Sequence, residues 1–266
     1  MNKYLVILIF IFTTISCSEQ QSSSGSKISE KGLSLEHANE FKEDIIKIAD
    51  NIYVAVGFAL ANVIMVTGEN ESLIIDTTGS EEAAKIVKKE FDKISNKPVN
   101  NIFYTHNHPD HIGGATIFAN STDANIYGQE NILYNIDNIS TIIRPIIYER
   151  SARQFGIPLN KDEIIHQGIG GFLEISAQTT TGLLRPTVTF DQNLDLNIDN
   201  IEVKLQHVPG ETDDHLYVWL PKQEAVMVGD NFYRSFANLY AIRGTKYRNP
   251  MEWVHSLDKI RALNAK

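Results

Sequence analysis

Between residues 52 and 76 the stretch "IYVAVGFALANVIMVTGENESLIID" carries three short apolar runs rich in β-branched residues. Runs of that length, bounded by Gly, Asn and Asp, read as strands near Ile52–Val56, Ala61–Val66 and Ser72–Asp76, with "TGENES" as a hairpin loop. The period then changes. Ser80 precedes "EEAAKIVKKEFDKI", where Ala84, Ile86, Val87 and Phe91 fit helical spacing. Ser80 suits an N-cap, and Glu81 and Glu82 fall in the first turn, where the helix dipole favours negative charge. "NIFYTH" returns to a strand, Asn101 to Thr105, so a strand–helix–strand unit ends at a histidine.

Further on, "ANIYGQ" reads as a strand and "ENILYNIDNISTIIRPIIYERSARQFG" as helix with a break at Pro145. "IEVKLQHVPG", "DHLYVWLP" and "EAVMVGDN" read as three more strands. "MEWVHSLDKIRAL" closes the chain as an amphipathic helix, with Trp253, Leu257, Ile260 and Leu263 on one face. Strands and helices alternate in the first half and strands cluster in the second. The class is α/β, with two sheets face to face and helices outside. No repeat period is visible.

The first residues follow a different pattern. Lys3 precedes an unbroken apolar run from Tyr4 to Phe12, then small and polar residues. That is the order of a secretory signal, too short to span a bilayer. Cys17, the chain's only cysteine, stands where such a signal is cut. "TISC" resembles the lipobox of bacterial lipoproteins, whose cysteine is acylated; a plain signal peptide cut near Cys17 is the alternative. The expectation is an exported protein, lipid-anchored to a bacterial membrane through Cys17 on its periplasmic or cell-surface side. With one cysteine no disulfide forms within the chain. Ser-rich residues 18–34 read as a flexible tether, and residues 35–266 as the folded domain.

The 266 residues are 42% hydrophobic, enough for one large core, and carry a formal charge of −9. That balance excludes nucleic acid as a partner, because phosphate binding requires clustered Lys and Arg.

Candidate chemistry concentrates in "THNHPDHIGG", where His106, His108, Asp110 and His111 lie within six positions. In extended backbone, residues i and i+2 point to one side, so His106 and His108 can converge on one ion. Pro109 turns the chain, and Asp110 and His111 face a second point nearby. Gly113 and Gly114 allow close backbone approach. Imidazoles with a few carboxylates suit zinc, with iron or manganese as alternatives. One loop does not supply enough donors. Glu211 in "VPGETDDH" and Asp230 in "MVGDN" each follow a strand beside a glycine and are the candidates to complete the set. Asp213 and Asp214 read as turn residues, His215 as a partner orienting a ligand, and Trp219 and Trp253 as core.

T-H-x-H-x-D-H-x-G-G, a "PG" turn with a ligand, and "GD" after an apolar strand resemble the metallo-β-lactamase fold superfamily. "LIIDTTG", with Asp76 near the site, matches it too. The resemblance runs from about Ile52 to the C-terminus and implies an αββα sandwich with a two-metal hydrolytic centre. Glu211, where most members have histidine, resembles the alkyl sulfatase branch. So does "NFYRSFANLYAIRGTKYRNPMEW", similar to that branch's "NLY…RG…R" segment followed by Trp. Gly229, Asp230 and Asn231 depart from its Ala-Glu-Asn.

The resemblance implies that His106, His108 and Glu211 hold one divalent ion, Asp110 and His111 a second, with Asp230 bridging; zinc is the expected metal. Two such cations lower the pKa of a shared water, so hydroxide is available at neutral pH, with Asp110 taking part in catalysis. Arg243, Asn238 and Tyr240 are expected to line an anion pocket, since a sulfate ester calls for a guanidinium and neutral donors. The leading expectation is an alkyl sulfate or related anionic ester as substrate. Alternatives are a β-lactamase or lactonase on the same centre, and a catalytically silent metal- or ligand-binding lipoprotein. The fold normally continues into one more strand that ends in a last histidine for the second ion. No histidine follows His255. The 266 residues are therefore expected to be a fragment, truncated at the C-terminus, that holds the second ion weakly, with His215 first in line to fill the gap. Further domains, absent here, are the expected route to a homodimer.

Overall fold

The computed structural model describes residues 35–160, 163–171, 173 and 178–266. The expected leader, Cys17 and tether lie outside them. Among the described residues, no helix is long and apolar enough to cross a membrane.

Seven strands form the first sheet, in sequence order: β1 (Asp44–Ala49), β2 (Ile52–Val56), β3 (Val63–Thr67), β4 (Ser72–Ile75), β5 (Asn101–Phe103), β6 (Asn125–Gln129) and β7 (Val188–Phe190). β1 to β4 pair antiparallel, and β4 to β7 pair parallel. The second sheet is antiparallel, in the order β11 (Ala225–Met227), β10 (Leu216–Leu220), β9 (Ile201–His207), β8 (Asn193–Ile198). The chain passes from one sheet to the other between β7 and β8.

Side chains alternate across each strand, and the two cores follow from that alternation. Leu73, Ile75 and Phe103 meet Val203, Leu205, Leu216 and Val218 between the sheets. Their neighbours Ile74, Ile102 and Tyr104 point the other way, onto Ala84, Val87 and Phe91 of α1 (Glu81–Phe91). On the far side, α6 (Pro250–Ala262) is fastened to the second sheet's loops: Trp253 Nε1 donates to Asn231 O at 3.0 Å and Ser256 Oγ to Pro209 O at 2.7 Å. The layers are helix, sheet, sheet, helix.

Several expected boundaries move. α1 stops at Phe91 rather than running to Ile94, and the expected strand from Ala61 starts at Val63. β5 ends at Phe103 because Thr105 N–H leaves the ladder to donate to the Asp76 carboxylate, at 2.8 Å. The long helix expected over 130–156 is two, α4 (Asn131–Asp137) and α5 (Arg144–Gln154), joined by a π turn over Asn138–Ile142. The break falls before Pro145, which takes a first-turn position where its missing N–H costs nothing. Two four-residue helices, α2 (Pro109–Ile112) and α3 (Ala115–Phe118), follow β5. β1, β7 and β8 were not expected.

Candidate metal centre

The end of β5 delivers the histidines, and the turn after β4 fixes them. Asp76 and Thr78 both adopt left-handed backbone, φ 57° and 68°. For a β-branched residue such as Thr78 that is strained, a state tolerated where the surroundings over-determine it. Here they do. Gly113 N donates to Thr78 O at 2.8 Å, and the Thr78 hydroxyl donates to Ser80 O at 3.0 Å. A Cβ on Gly113 would run into Gly79 O, so glycine is what lets the two loops touch.

Asp76 organises the donors without joining them. Its carboxylate accepts from Thr105 N and Thr105 Oγ1, each at 2.8 Å, and from His111 Nδ1 at 2.7 Å. The Thr105 hydroxyl has one proton, and the carboxylate can only accept it. His106 Nδ1, 3.1 Å from that oxygen, must therefore carry its own proton and donate. Both His106 and His111 thus turn Nε2 inward. Those two atoms and Glu211 Oε2 are buried and have no hydrogen-bond partner among the described residues. Leaving three polar atoms orphaned in one place is costly unless a ligand completes them.

His106, His108 and Asp230 each place a donor atom within 4.8 Å of the others'. His111 Nε2 lies 3.2 Å from Asp230 Oδ1 and 3.7 Å from Asp110 Oδ2. His108 Nδ1 stands 3.8 Å from Glu211 Oε1, long for a hydrogen bond and close to the spacing of two donors on one ion with bonds of about 2.1 Å. The donor chemistry and the orphaned atoms fit a divalent metal. The tightest triad contains Asp230 rather than Glu211. The reason is Arg248: its Nη1 holds Glu211 Oε1 at 2.8 Å, both side chains being almost wholly buried.

The electrostatics agree with a cation site. Burial pushes the pKa of His106 and His108 well down, and neighbouring histidines or Arg243 push further. Burial also acts to lower His111, but Asp230, Asp76 and Asp110 outweigh it and hold this imidazole well above its usual value. Burial raises Asp110 and takes Glu211 up to about 7, although Arg248 pulls the latter back. These carboxylates gather charge that only a proton or a metal ion can offset.

A model of the metallo-beta-lactamase superfamily matches residues 56–266. The chain belongs to that superfamily. It is 35% identical over 209 residues to a linear primary-alkylsulfatase of Pseudomonas sp. (strain ATCC 19151), a match covering 76% of this chain and 39% of that protein. It is 27% identical over 228 residues to the alkyl/aryl-sulfatase BDS1 of Saccharomyces cerevisiae (strain ATCC 204508 / S288c), covering 82% and 35% respectively. The chain thus spans under two fifths of these relatives' length. Among solved structures, the sec-alkylsulfatase Pisa1 from Pseudomonas sp. superposes with a TM-score of 0.78 at 19% identity, over 85% of this chain and 37% of that one. At that identity the likeness speaks for the metallo-beta-lactamase fold.

Of the three residues expected around an anion, two approach the donors. Arg243 Nη2 is 3.5 Å from His108 Nε2, and Asn238 Nδ2 is 3.4 Å from Glu211 Oε1. Tyr240 is 83% exposed and stays on the surface. Arg248 was not singled out by sequence, although it is the last position of the "NLY…RG…R" pattern. Its Nε and Nη2 are buried without a partner among the described residues. Asp213 joins a surface network with Asn135 and Lys246, at 2.7 and 2.9 Å. Asp214, expected as a turn residue, is fully buried; Trp253 is core, and Trp219 only half-buried.

Proposed function

We propose that this chain is a metal-dependent hydrolase domain acting on an alkyl sulfate or a related anionic ester. The observation that carries this reading is the pair of guanidiniums, half-buried Arg243 and buried Arg248, set against the donor cluster. Two cations beside a metal site suit an anionic head group with several terminal oxygens. A neutral lactone offers less to bind there. The alkylsulfatase relatives point the same way.

On this reading His106, His108 and Glu211 would hold one ion and Asp110 and His111 a second, with Asp230 within reach of either, and zinc would be the metal. When bound, the ions would supply Lewis acidity to the ester and lower the pKa of water in the site. The chain's own residues do the rest. Arg243 holds the anionic head, Arg248 fixes Glu211 and adds positive charge behind the site, and Asn238 adds a neutral donor. Asp110, at the start of the short helix after β5, would face the water in the site.

The test is release of inorganic sulfate from alkyl sulfates by the zinc-loaded domain. Arg243→Ala should cut that release by about 100-fold and leave metal content unchanged. A fully loaded domain that releases no sulfate from any alkyl chain length overturns the reading. Running the reaction in oxygen-18 water shows whether label enters the alcohol or the sulfate.

Export belongs to the same proposal: the leader directs the protein across the membrane, and lipid on Cys17 holds it at the periplasmic or cell-surface side. Cys17→Ser should release it in soluble form. An unmodified N-terminus beyond Cys17 in mass spectrometry would refute the anchor.

A further inference from the structure

His215 is the one imidazole at the centre that the ligand set leaves unused. It has no exposed surface. Its ring lies flat on His106, centroids 4.5 Å apart and planes 12° from parallel. Its Nε2 is 3.1 Å from the backbone nitrogen of Asp230. A backbone N–H can only donate, so Nε2 is the acceptor and the ring proton sits on Nδ1, facing Leu216 O at 3.3 Å. The lone pair that would coordinate an ion is already in use.

The backbone around His215 is pinned on both sides. Val208 N donates to His215 O at 2.8 Å, and Leu216 N donates to Thr105 O at 2.9 Å. The second contact ties the loop of one sheet to the histidine-bearing end of the other. Gly229 makes the approach possible: its φ is +50°, and a Cβ there would sit 2.7 Å from His215 Cε1 and 2.6 Å from Thr105 Oγ1. The "GD" pair therefore serves two ends. Glycine lets the chain close on His215, and the next residue is delivered to the centre with its amide already held.

We propose that His215 is a positioning residue of the metal centre. It fixes Asp230 through that residue's backbone N–H, steadies the His106 ring by stacking, and does not itself ligate. The proposal rests on the reading that His106, His108 and Asp230 hold metal. It removes His215 as the donor that completes the second ion.

Two substitutions separate its parts. His215→Phe keeps a flat ring on His106 but removes the acceptor. His215→Gln keeps an acceptor and gives up the ring. Zinc affinity is measured by competition with a chromophoric chelator, and the coordination sphere by the visible spectrum of the cobalt(II)-substituted protein. Outer partners of metal ligands are worth roughly 10–100-fold in affinity. His215→Phe should weaken zinc by that factor and shift the cobalt bands, while His215→Gln should stay within about fivefold of the parent. A residue that matters only for packing would lower the melting temperature and move neither readout.

Parent-like affinity and spectrum in His215→Phe overturn the proposal. So does an equal loss in both variants, or a cobalt spectrum with one nitrogen donor fewer, which would make His215 a ligand. Should the Phe variant not fold, the Gln variant decides: parent-like affinity supports the proposal and a loss above tenfold overturns it. If the parent protein binds no zinc at all, the underlying metal reading fails instead, and that result is distinguishable from every one above.

Discussion

Asp214 carries a pH dependence unrelated to metal. It is fully buried, and neither carboxylate oxygen has a hydrogen-bond partner among the described residues. Burial lifts its pKa to about 7. A carboxyl whose folded pKa stands above its unfolded value keeps its proton longer in the native state. The stability it contributes is whole below about pH 4 and is lost as pH rises towards 7, by about 1.4 kcal/mol per pH unit. In metal-free protein, Asp214→Asn should raise the urea midpoint near pH 8 and leave it unchanged near pH 4. Equal shifts at both pH values would show that the side chain acts through shape alone. Such a residue is invisible in sequence, where "DD" beside a turn reads as solvated. Arg248 hides for a similar reason: its partner Glu211 is distant along the chain, and only the fold brings them together.

At the scale of elements, the sequence is legible wherever one face is apolar. Ser80 is the N-cap expected of it, its hydroxyl accepting from Ala83 N at 3.2 Å, and the helix that follows buries Ala83, Ala84, Val87 and Phe91. Ser80→Ala should cost about 1 kcal/mol, read as a lower melting temperature with sulfate release unchanged. β1 escaped because it is an edge strand whose Ile46 and Ile48 are 43% and 53% exposed, so no alternation marks its inner face. β7 has three residues; β8 alternates Leu194, Leu196 and Ile198 with Asn and Asp, a two-residue period that does mark a strand and is easily passed over among its turn-type residues. α5 buries none of its residues, and its sequence carries no stripe from which to place it. The histidine motif was legible because four metal-type side chains in six positions have few structural uses. The task of His215 was not, since it acts on a backbone amide that residue types do not encode.

At the scale of the molecule, the donors come from both sheets. His106, His108, Asp110 and His111 follow β5 of the first; Glu211 and Asp230 follow β9 and β11 of the second. On the ligand assignment proposed above, zinc titrated into metal-free protein should bind in two calorimetric steps about tenfold or more apart, since one ion would have His106, His108, Glu211 and Asp230 and the other only Asp110, His111 and a shared Asp230. Two equal steps would contradict that division of donors. Loading should also raise the melting temperature in proportion to affinity.

The single passage between the sheets, at Asp191–Gln192, has a consequence for cutting the chain. A protease site placed there would divide the domain into two interlocking pieces, each with only part of the donor set. With zinc present the nicked pieces should travel together through gel filtration. A chelator with mild urea should part them, and fresh zinc should rejoin them; parting that ignores zinc would show that apolar packing alone holds the sheets. Cut in this way, and with zinc as the metal proposed above, the domain would become a reversible zinc sensor whose output is its own mass.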